Sequence, residues 1–281
     1  MTSHPSALNT PDLWLSQWPW PKTDSHKHAR GALGCVTGGA ASTGAARLSA
    51  RAGLRIGAGL VTLWSPPGAV LVNASHVTAV MVKPFANTEE LADLAQSSRC
   101  GLIGPGAGIT DATRDNTLTI LKYCESAVLD ADALTVFKDD PERLFSEIRR
   151  PALLTPHEGE FKRLFGPLLE EHSREEAAMI AAQRSGATVL LKGAESLIAA
   201  PDGKLVRNTH ASPFLATAGS GDVLAGIAGG LMAQGMDVFD AACAACWVHG
   251  DAARRLGAGL IAEDLVEAIP AVLHALHEAK A

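Results

Sequence analysis

The sequence predicts a single three-layer α/β/α domain built on a mainly parallel central sheet. Three observations lead there. Short apolar runs of strand length alternate with longer helical runs, and those strands tend to end in glycine-rich or acidic turns. No linker, repeat or low-complexity tract divides the 281 residues. Strands alternating with helices must return through crossovers, which makes neighbouring strands parallel. With 47% apolar residues, the chain has ample material for one large core.

Residues 1 to 25 form an N-terminal arm, polar and proline-rich apart from Trp14, Leu15, Trp18 and Trp20. Trp14 and Trp18 share a helical face at i, i+4 spacing, so the arm is expected to dock its indoles on the body or on another subunit. The main domain, 26 to 281, opens with strand Ala32 to Thr37, the turn Gly38 to Ala46, and a helix to about Ile56. Strands are expected at Gly59 to Trp64 and Thr78 to Val82, then a helix over Asn87 to Ser97. Strand Gly101 to Ile103 ends in the turn Gly104-Pro105-Gly106-Ala107-Gly108, and helix Asp111 to Lys122 follows. Strand Ala127 to Leu129 ends in Asp130-Ala131-Asp132, and strand Ala152 to Leu154 in Thr155-Pro156-His157-Glu158-Gly159-Glu160. Beyond helix Arg174 to Ser185, strand Ala187 to Leu191 runs into Lys192-Gly193-Ala194-Glu195-Ser196. Ser196 to Ala199 and Leu205 to Asn208 flank Pro201-Asp202-Gly203, a hairpin signal. Helices Val223 to Gln234, Asp237 to Leu256 and Glu263 to Ala279 close the chain.

Charge narrows the function. Lys and Arg total 24 against 30 Asp and Glu, a formal −6 with no basic cluster, which argues against a nucleic-acid partner. No secretory signal is recognisable, and no apolar run approaches the roughly 20 residues that span a bilayer. A soluble, cytoplasmic protein without a membrane partner is expected. The five cysteines are scattered and odd in number, which does not suggest a disulfide framework. Cys243-Ala-Ala-Cys246 has redox spacing but lies in an alanine-rich helical run, where small buried residues are the better reading.

The stretch Ala218-Gly219-Ser220-Gly221-Asp222 carries the chemistry. Glycines let main-chain amides approach a bound group, and Asp222 falls in the first turn of a helix, where free amides and the positive dipole end gather. Such a turn binds phosphate. A carboxylate beside it makes sense if a hydroxyl must lose a proton while a phosphoryl group arrives. The competing reading is an ordinary turn with Asp222 as a cap. Asp130 and Asp132 could hold a metal or a substrate hydroxyl, or Asp132 could cap a helix while Asp130 is solvated. His157 could start a helix or line a site. Lys192, before a glycine at a strand end, could reach a phosphate or sit in a surface turn. Gly39 to Gly44 imitates a P-loop, but Ala45 and Ala46 stand where Lys and Ser or Thr are required, so a Walker site is excluded.

These motifs together resemble the ADP/ATP-dependent NAD(P)H-hydrate dehydratases, a branch of the ribokinase-like superfamily. The resemblance runs over about residues 26 to 270. It rests on His26-Lys27 to Gly31, Thr43-Gly44-Ala45-Ala46, Gly57 to Val61, Gly104-Pro105-Gly106, Asp130 to Leu134, Thr155 to Glu160 with Arg163-Leu164, Lys192-Gly193, and Ala218 to Asp222. It implies that the hydroxyl of hydrated NADH or NADPH is phosphorylated from ADP or ATP, after which phosphate leaves and the reduced cofactor is restored. Asp222 would take the hydroxyl proton, and the Gly219, Ser220 and Gly221 amides would form the anion hole. Lys192, Gly193, Ala194, Glu195, Ser196 and Gly221 would hold the nucleotide. Ala45, Gly106, His157 and Asp130 would contact the hydrate. Mg²⁺ would be held by phosphates and water, with no protein ligand singled out.

Ser220 replaces the commoner Thr of the glycine loop, and Thr135 replaces the usual Asn. An NAD(P)H-hydrate epimerase, separate or fused upstream, is the expected functional partner, since the arm is too short to be one. The exposed Trp arm and alanine-rich late helices suggest a homo-oligomer, with a tetramer among the options. The alternative is a kinase of the same superfamily acting on a vitamin-like alcohol of pyrimidine or thiazole type.

Overall fold

The computed structural model describes residues 6–280. Ten strands form one sheet: β1 (Ala7–Leu8), β2 (Ala32–Val36), β3 (Leu60–Ser65), β4 (Met81–Pro84), β5 (Cys100–Ile103), β6 (Ser126–Leu129), β7 (Ala152–Leu154), β8 (Thr188–Leu191), β9 (Ser196–Ala199) and β10 (Leu205–Asn208). Their order is β1-β10-β9-β8-β7-β6-β5-β2-β3-β4. Only β9 runs against the rest, through the expected hairpin with β10.

Period-2 alternation splits the strands between two cores. Leu33, Cys35, Leu63, Leu102, Val128, Leu153, Leu190 and Ile198 face one layer. It contains helices Gly44–Arg55, Ser220–Ala233, Val238–Leu256 and Ala262–Ala279. Val36, Trp64, Ile103, Leu129, Leu154, Val189 and Leu191 face the other. That layer includes Thr88–Gln96, Asp111–Tyr123, Pro141–Glu147 and Arg174–Ser185. Helix Ser220–Ala233 is apolar on every side and buried from Val223 to Ala233, which suits the centre of a layer. Its neighbour Gly44–Arg55 lies so close that a Cβ on Gly226 would fall 2.2 Å from the Ser49 carbonyl oxygen.

Of the two docking sites expected for the arm, the body of its own chain is the one observed. Trp14 is fully buried and Trp18 is 7% exposed, both within the first core. Trp14 packs on Trp18 and Trp247, and Trp20 meets His277 edge-on. Asn9 fixes the arm: its Nδ2 donates to Asn208 Oδ1 and to the Cys243 carbonyl, both at 2.8 Å, and its Oδ1 accepts from Trp14 Nε1. Strand β1 adds an edge to β10. The late helix Val238–Leu256 is likewise largely buried. Apolar side chains of both features still reach the surface, at Leu8, Leu13 and Leu256.

Two boundaries differ. Strand β4 lies at Met81–Pro84, three residues later than expected at its start; it is an outer strand paired only with β3, where a proline is tolerated. Helix Ser220–Ala233 begins three residues before the expected Val223. All five cysteines are buried and unpaired, and burial pushes the Cys246 thiol up to about 12.

Candidate active site

The sheet order reverses between β2 and β5, and open α/β sheets bind ligands outside the carboxyl ends of strands at such a point. Here the structure brings Ala45 and Gly106 together: a Cβ on Gly106 would lie 3.6 Å from the Ala45 Cβ. The turns after β2 and β5 are therefore neighbours on that edge.

Asp222 enters from the facing helix. Gly219 precedes the helix with φ of 85°, in the left-handed region, and no side chain caps the helix there. Ser220, Gly221 and Asp222 then form the first turn; the Ser220 amide donates to the Thr217 carbonyl at 3.4 Å, which leaves the Gly221 and Asp222 amides free for a ligand. The Asp222 carboxylate is not a cap: among the described residues no hydrogen bond reaches it. It leans back towards the turn, where a Cβ on Gly219 would lie 4.0 Å from Oδ2. Burial, then the Asp130 charge, push its pKa up to about 6; Lys192 opposes this and Asp132 adds to it. A carboxylate with a pKa near working pH and no hydrogen-bond partner among the described residues is suited to take a proton.

Lys192 ends β8 and turns its ammonium inward. Nζ lies 2.8 Å from Asp130 Oδ1 and 3.9 Å from Glu160 Oε2. A Cβ on Gly221 would fall 3.5 Å from the same nitrogen, so the charge stands beside the glycine turn. Burial works against that charge, but Asp130, Glu160 and the hydrogen bond to Asp130 outweigh it and raise the Lys192 pKa. Asp130 is buried, not solvated, and also accepts from Thr155 Oγ1 at 2.8 Å.

Asp132 accepts from the Gly108 amide at 2.8 Å, bridging two turns. Between the two acids Ala131 has φ of 47° and ψ of −113°, and the Ala133 amide donates to the Asp130 carbonyl. This is the second position of a type II′ turn, where glycine is usual. A non-glycine residue there costs about 1–3 kcal/mol.

His157 starts the helix Glu158–Phe165 as its cap. Nδ1 accepts from the Gly159 and Glu160 amides, and Glu160 Oε2 accepts from the His157 amide. With Nδ1 accepting, the neutral ring carries its proton on Nε2, 3.4 Å from Glu160 Oε1. The ring stays half-exposed on the site edge. His157, Glu160, Lys192 and Asp130 thus form one polar chain beside Asp222. Gly193, Ala194 and Glu195 are exposed just beyond Lys192, with Ser196 half-buried, and Arg174 donates to the Glu195 carbonyl. Thr135 donates back to the Ala131 carbonyl within its own helical turn.

Sequence reasoning placed Glu160 in a strand-end motif but gave it no role of its own; its spacing of three from His157 is a capping-box signal. It missed Ser49, whose Oγ donates to the Asp222 carbonyl at 2.8 Å. No sequence signal points to that contact. Among the described residues no group of three or more His, Cys, Asp and Glu side chains is arranged to hold a metal.

A family model described as NAD(P)H-hydrate dehydratase matches residues 33–271. The chain is 36% identical over 272 residues to the bifunctional NAD(P)H-hydrate repair enzyme Nnr of Salinibacter ruber, covering 91% of this chain and 50% of that protein. It is also 36% identical over 266 residues to the ADP-dependent (S)-NAD(P)H-hydrate dehydratase of Neisseria meningitidis, covering 87% of this chain and 86% of that one. The chain therefore spans about half the length of the bifunctional relatives it matches. Among solved structures, the ADP/ATP-dependent NAD(P)H-hydrate dehydratase of Bacillus subtilis, co-crystallised with ATP and Mg²⁺, superposes with a TM-score of 0.87 at 26% identity. That match covers 98% of this chain and all of the other. A hydroxyethylthiazole kinase from Pyrococcus horikoshii, at 16% identity and a TM-score of 0.63, shares the fold.

Proposed function

This chain belongs to the NAD(P)H-hydrate dehydratase family, and from that premise we propose that it restores NADH and NADPH from their (S)-hydrates at the expense of ADP or ATP. The observation that carries the reading is Asp222: a carboxylate raised to about 6, free of hydrogen bonds among the described residues, on a turn whose Gly219 and Gly221 amides have no partner among those residues.

The reaction follows from that placement. The hydrate hydroxyl gives its proton to Asp222 as its oxygen attacks the terminal phosphorus, and the anhydride bond breaks to release AMP from ADP, or ADP from ATP. Amides of Gly219, Ser220 and Gly221 meet the charge spread over the transferring oxygens, and the Lys192 ammonium stands beside them. Phosphate then leaves with the ring oxygen, the neighbouring ring carbon loses a proton to the departing phosphate or to water, and the ring double bond re-forms. Ala45, Gly106, His157 and Asp130 contact the hydrate in this reading. Lys192 to Ser196 and Gly221 hold the nucleotide.

A Mg²⁺ bound by nucleotide phosphates fits the donor set, because Asp130 is committed to Lys192 and Thr155, and Asp132 to Gly108. Mg²⁺ retains waters and takes few protein ligands, so phosphates and water complete its shell. Its contribution is to neutralise phosphate charge.

Residues 26–281 are the catalytic unit in this proposal, with 1–25 as its arm, working in the cytoplasm. Its partners are the hydrate, the adenine nucleotide, a hydrate epimerase and a second copy of the chain, which light scattering decides. No helix among the described residues is long and apolar enough to cross a membrane.

The test follows phosphate and nicotinamide absorbance together, with Mg²⁺ and ADP, ATP or neither. One phosphate released per reduced cofactor regained supports the reading and names the donor. A phosphorylated product that accumulates instead points to the vitamin-type kinase.

A further inference from the structure

Besides the Asp222 carboxylate, the anion-binding turn carries one polar side chain, the Ser220 hydroxyl, and it is turned inward. Its Oγ lies 3.1 Å from Nε2 of His249, with the two residues 5% and 6% exposed. A serine in the first turn of a helix can bond neighbouring main-chain groups and so compete with a ligand for them. Here that option is removed by a residue 29 positions away.

We propose that His249 is a positioning residue for the phosphoryl-binding turn, acting through the Ser220 hydroxyl to fix the amides of Gly219 to Gly221. His249 is itself firmly placed. Its helix, Val238–Leu256, abuts the loop before the turn so closely that a Cβ on Gly250 would fall 1.7 Å from the His210 carbonyl oxygen. Burial pushes the imidazole down to about 4, against a hydrogen bond to the Ser220 main chain that raises it and with the Lys192 charge adding to the fall, so it adds no charge beside the incoming phosphoryl group. Its contribution is geometric.

The other end of the same turn is held from the opposite side, by the Ser49 hydroxyl on the Asp222 carbonyl. The turn is thus gripped by two helices, one reaching Ser220 and the other Asp222. Preorganised donors stabilise a transition state because they need not reorient as charge develops, and small displacements of such donors are expensive in rate.

The kinetic consequence rests on the dehydratase reading; the structural one does not. The experiment compares wild type with Ser220→Ala, His249→Gln, His249→Ala and the double variant Ser220→Ala/His249→Ala. It measures exchange of the hydrogen-bonded amides that report on the turn, Ser220 on the Thr217 carbonyl and Val223 on the Gly219 carbonyl, together with kcat and KM. Exchange in the turn should rise about tenfold in each alanine variant and no further in the double, because coupled partners are not additive. Protection across Val238–Leu256 should stay at the wild-type level. Turnover should fall about tenfold with KM for the hydrate within twofold, and His249→Gln, which keeps a polar head, should recover part of it. Unchanged exchange in the turn, or losses that add in the double variant, would overturn the proposal. If His249→Ala does not fold, Ser220→Ala, which deletes one oxygen, decides the same question through exchange in the turn. Absence of nucleotide-dependent recovery in the wild type would remove the dehydratase reading, and the exchange measurement would still decide the role of His249.

Discussion

Lys192 Nζ lies 2.8 Å from Asp130 Oδ1, and this pair sets the electrostatics in which Asp222 works. Asp130 raises the Asp222 pKa and Lys192 lowers it, so the two partners pull the same carboxylate in opposite directions. Glu160, 3.9 Å from the ammonium, ties the pair to the His157 cap.

A first consequence concerns pH. The base must be ionised to accept a proton, so kcat/KM for the hydrate should fall tenfold per pH unit below about 6. Asp130→Asn removes the negative neighbour and should move that limb to lower pH. Lys192→Met removes the positive one and should move it higher. A limb that stays fixed in both variants would detach it from Asp222.

Stability should report the same pair. Lys192→Met leaves Asp130 buried at 2% exposure without its cation. Removing one partner of a buried pair typically costs about 3–5 kcal/mol. Denaturant unfolding checks this; a loss below about 1 kcal/mol would show that Thr155 alone satisfies Asp130.

Asp222 should cost the protein stability in its working form. Its folded pKa of about 6 exceeds the ordinary 3.8, so the folded state binds the proton more tightly. Stability therefore falls as pH rises through that window, by about 2–3 kcal/mol in total. Asp222→Asn should unfold at a higher temperature than wild type at pH 7, and the gap should close by pH 4.

The part of the site visible in sequence is the part that is local. Gly219, Gly221 and Asp222 sit within four residues, and the alternation of strands with helices places them at a ligand edge. The pairings that tune the site join residues far apart: Lys192 with Asp130, Ser49 with Asp222, Ser220 with His249. Each is created by the sheet order, and none leaves a periodic trace. The arm shows the same limit. The spacing of Trp14 and Trp18 predicts a shared face, but its partner, Trp247, becomes a neighbour only once the last helices fold back. The helix-start reading of His157 is legible in the sequence and is the one the structure shows, with Glu160 completing the capping box.

The arm should be integral to stability. Trp14 is fully buried against Trp18 and Trp247 and bonded to Asn9. Truncating a buried large aromatic residue costs about 3–5 kcal/mol, so Trp14→Ala should lower stability by that order in urea unfolding. A change under about 1 kcal/mol would show that the arm docks without contributing to the core.

The most direct measurement is recovery of nicotinamide absorbance from the (S)-hydrate by wild type and Asp222→Asn, with ADP, ATP or neither, alongside nucleotide binding by calorimetry. The account predicts recovery that requires a nucleotide in the wild type. In Asp222→Asn it predicts a loss of about 10²–10⁴-fold while the nucleotide still binds. Recovery without nucleotide, or near-normal turnover in Asp222→Asn, would contradict it.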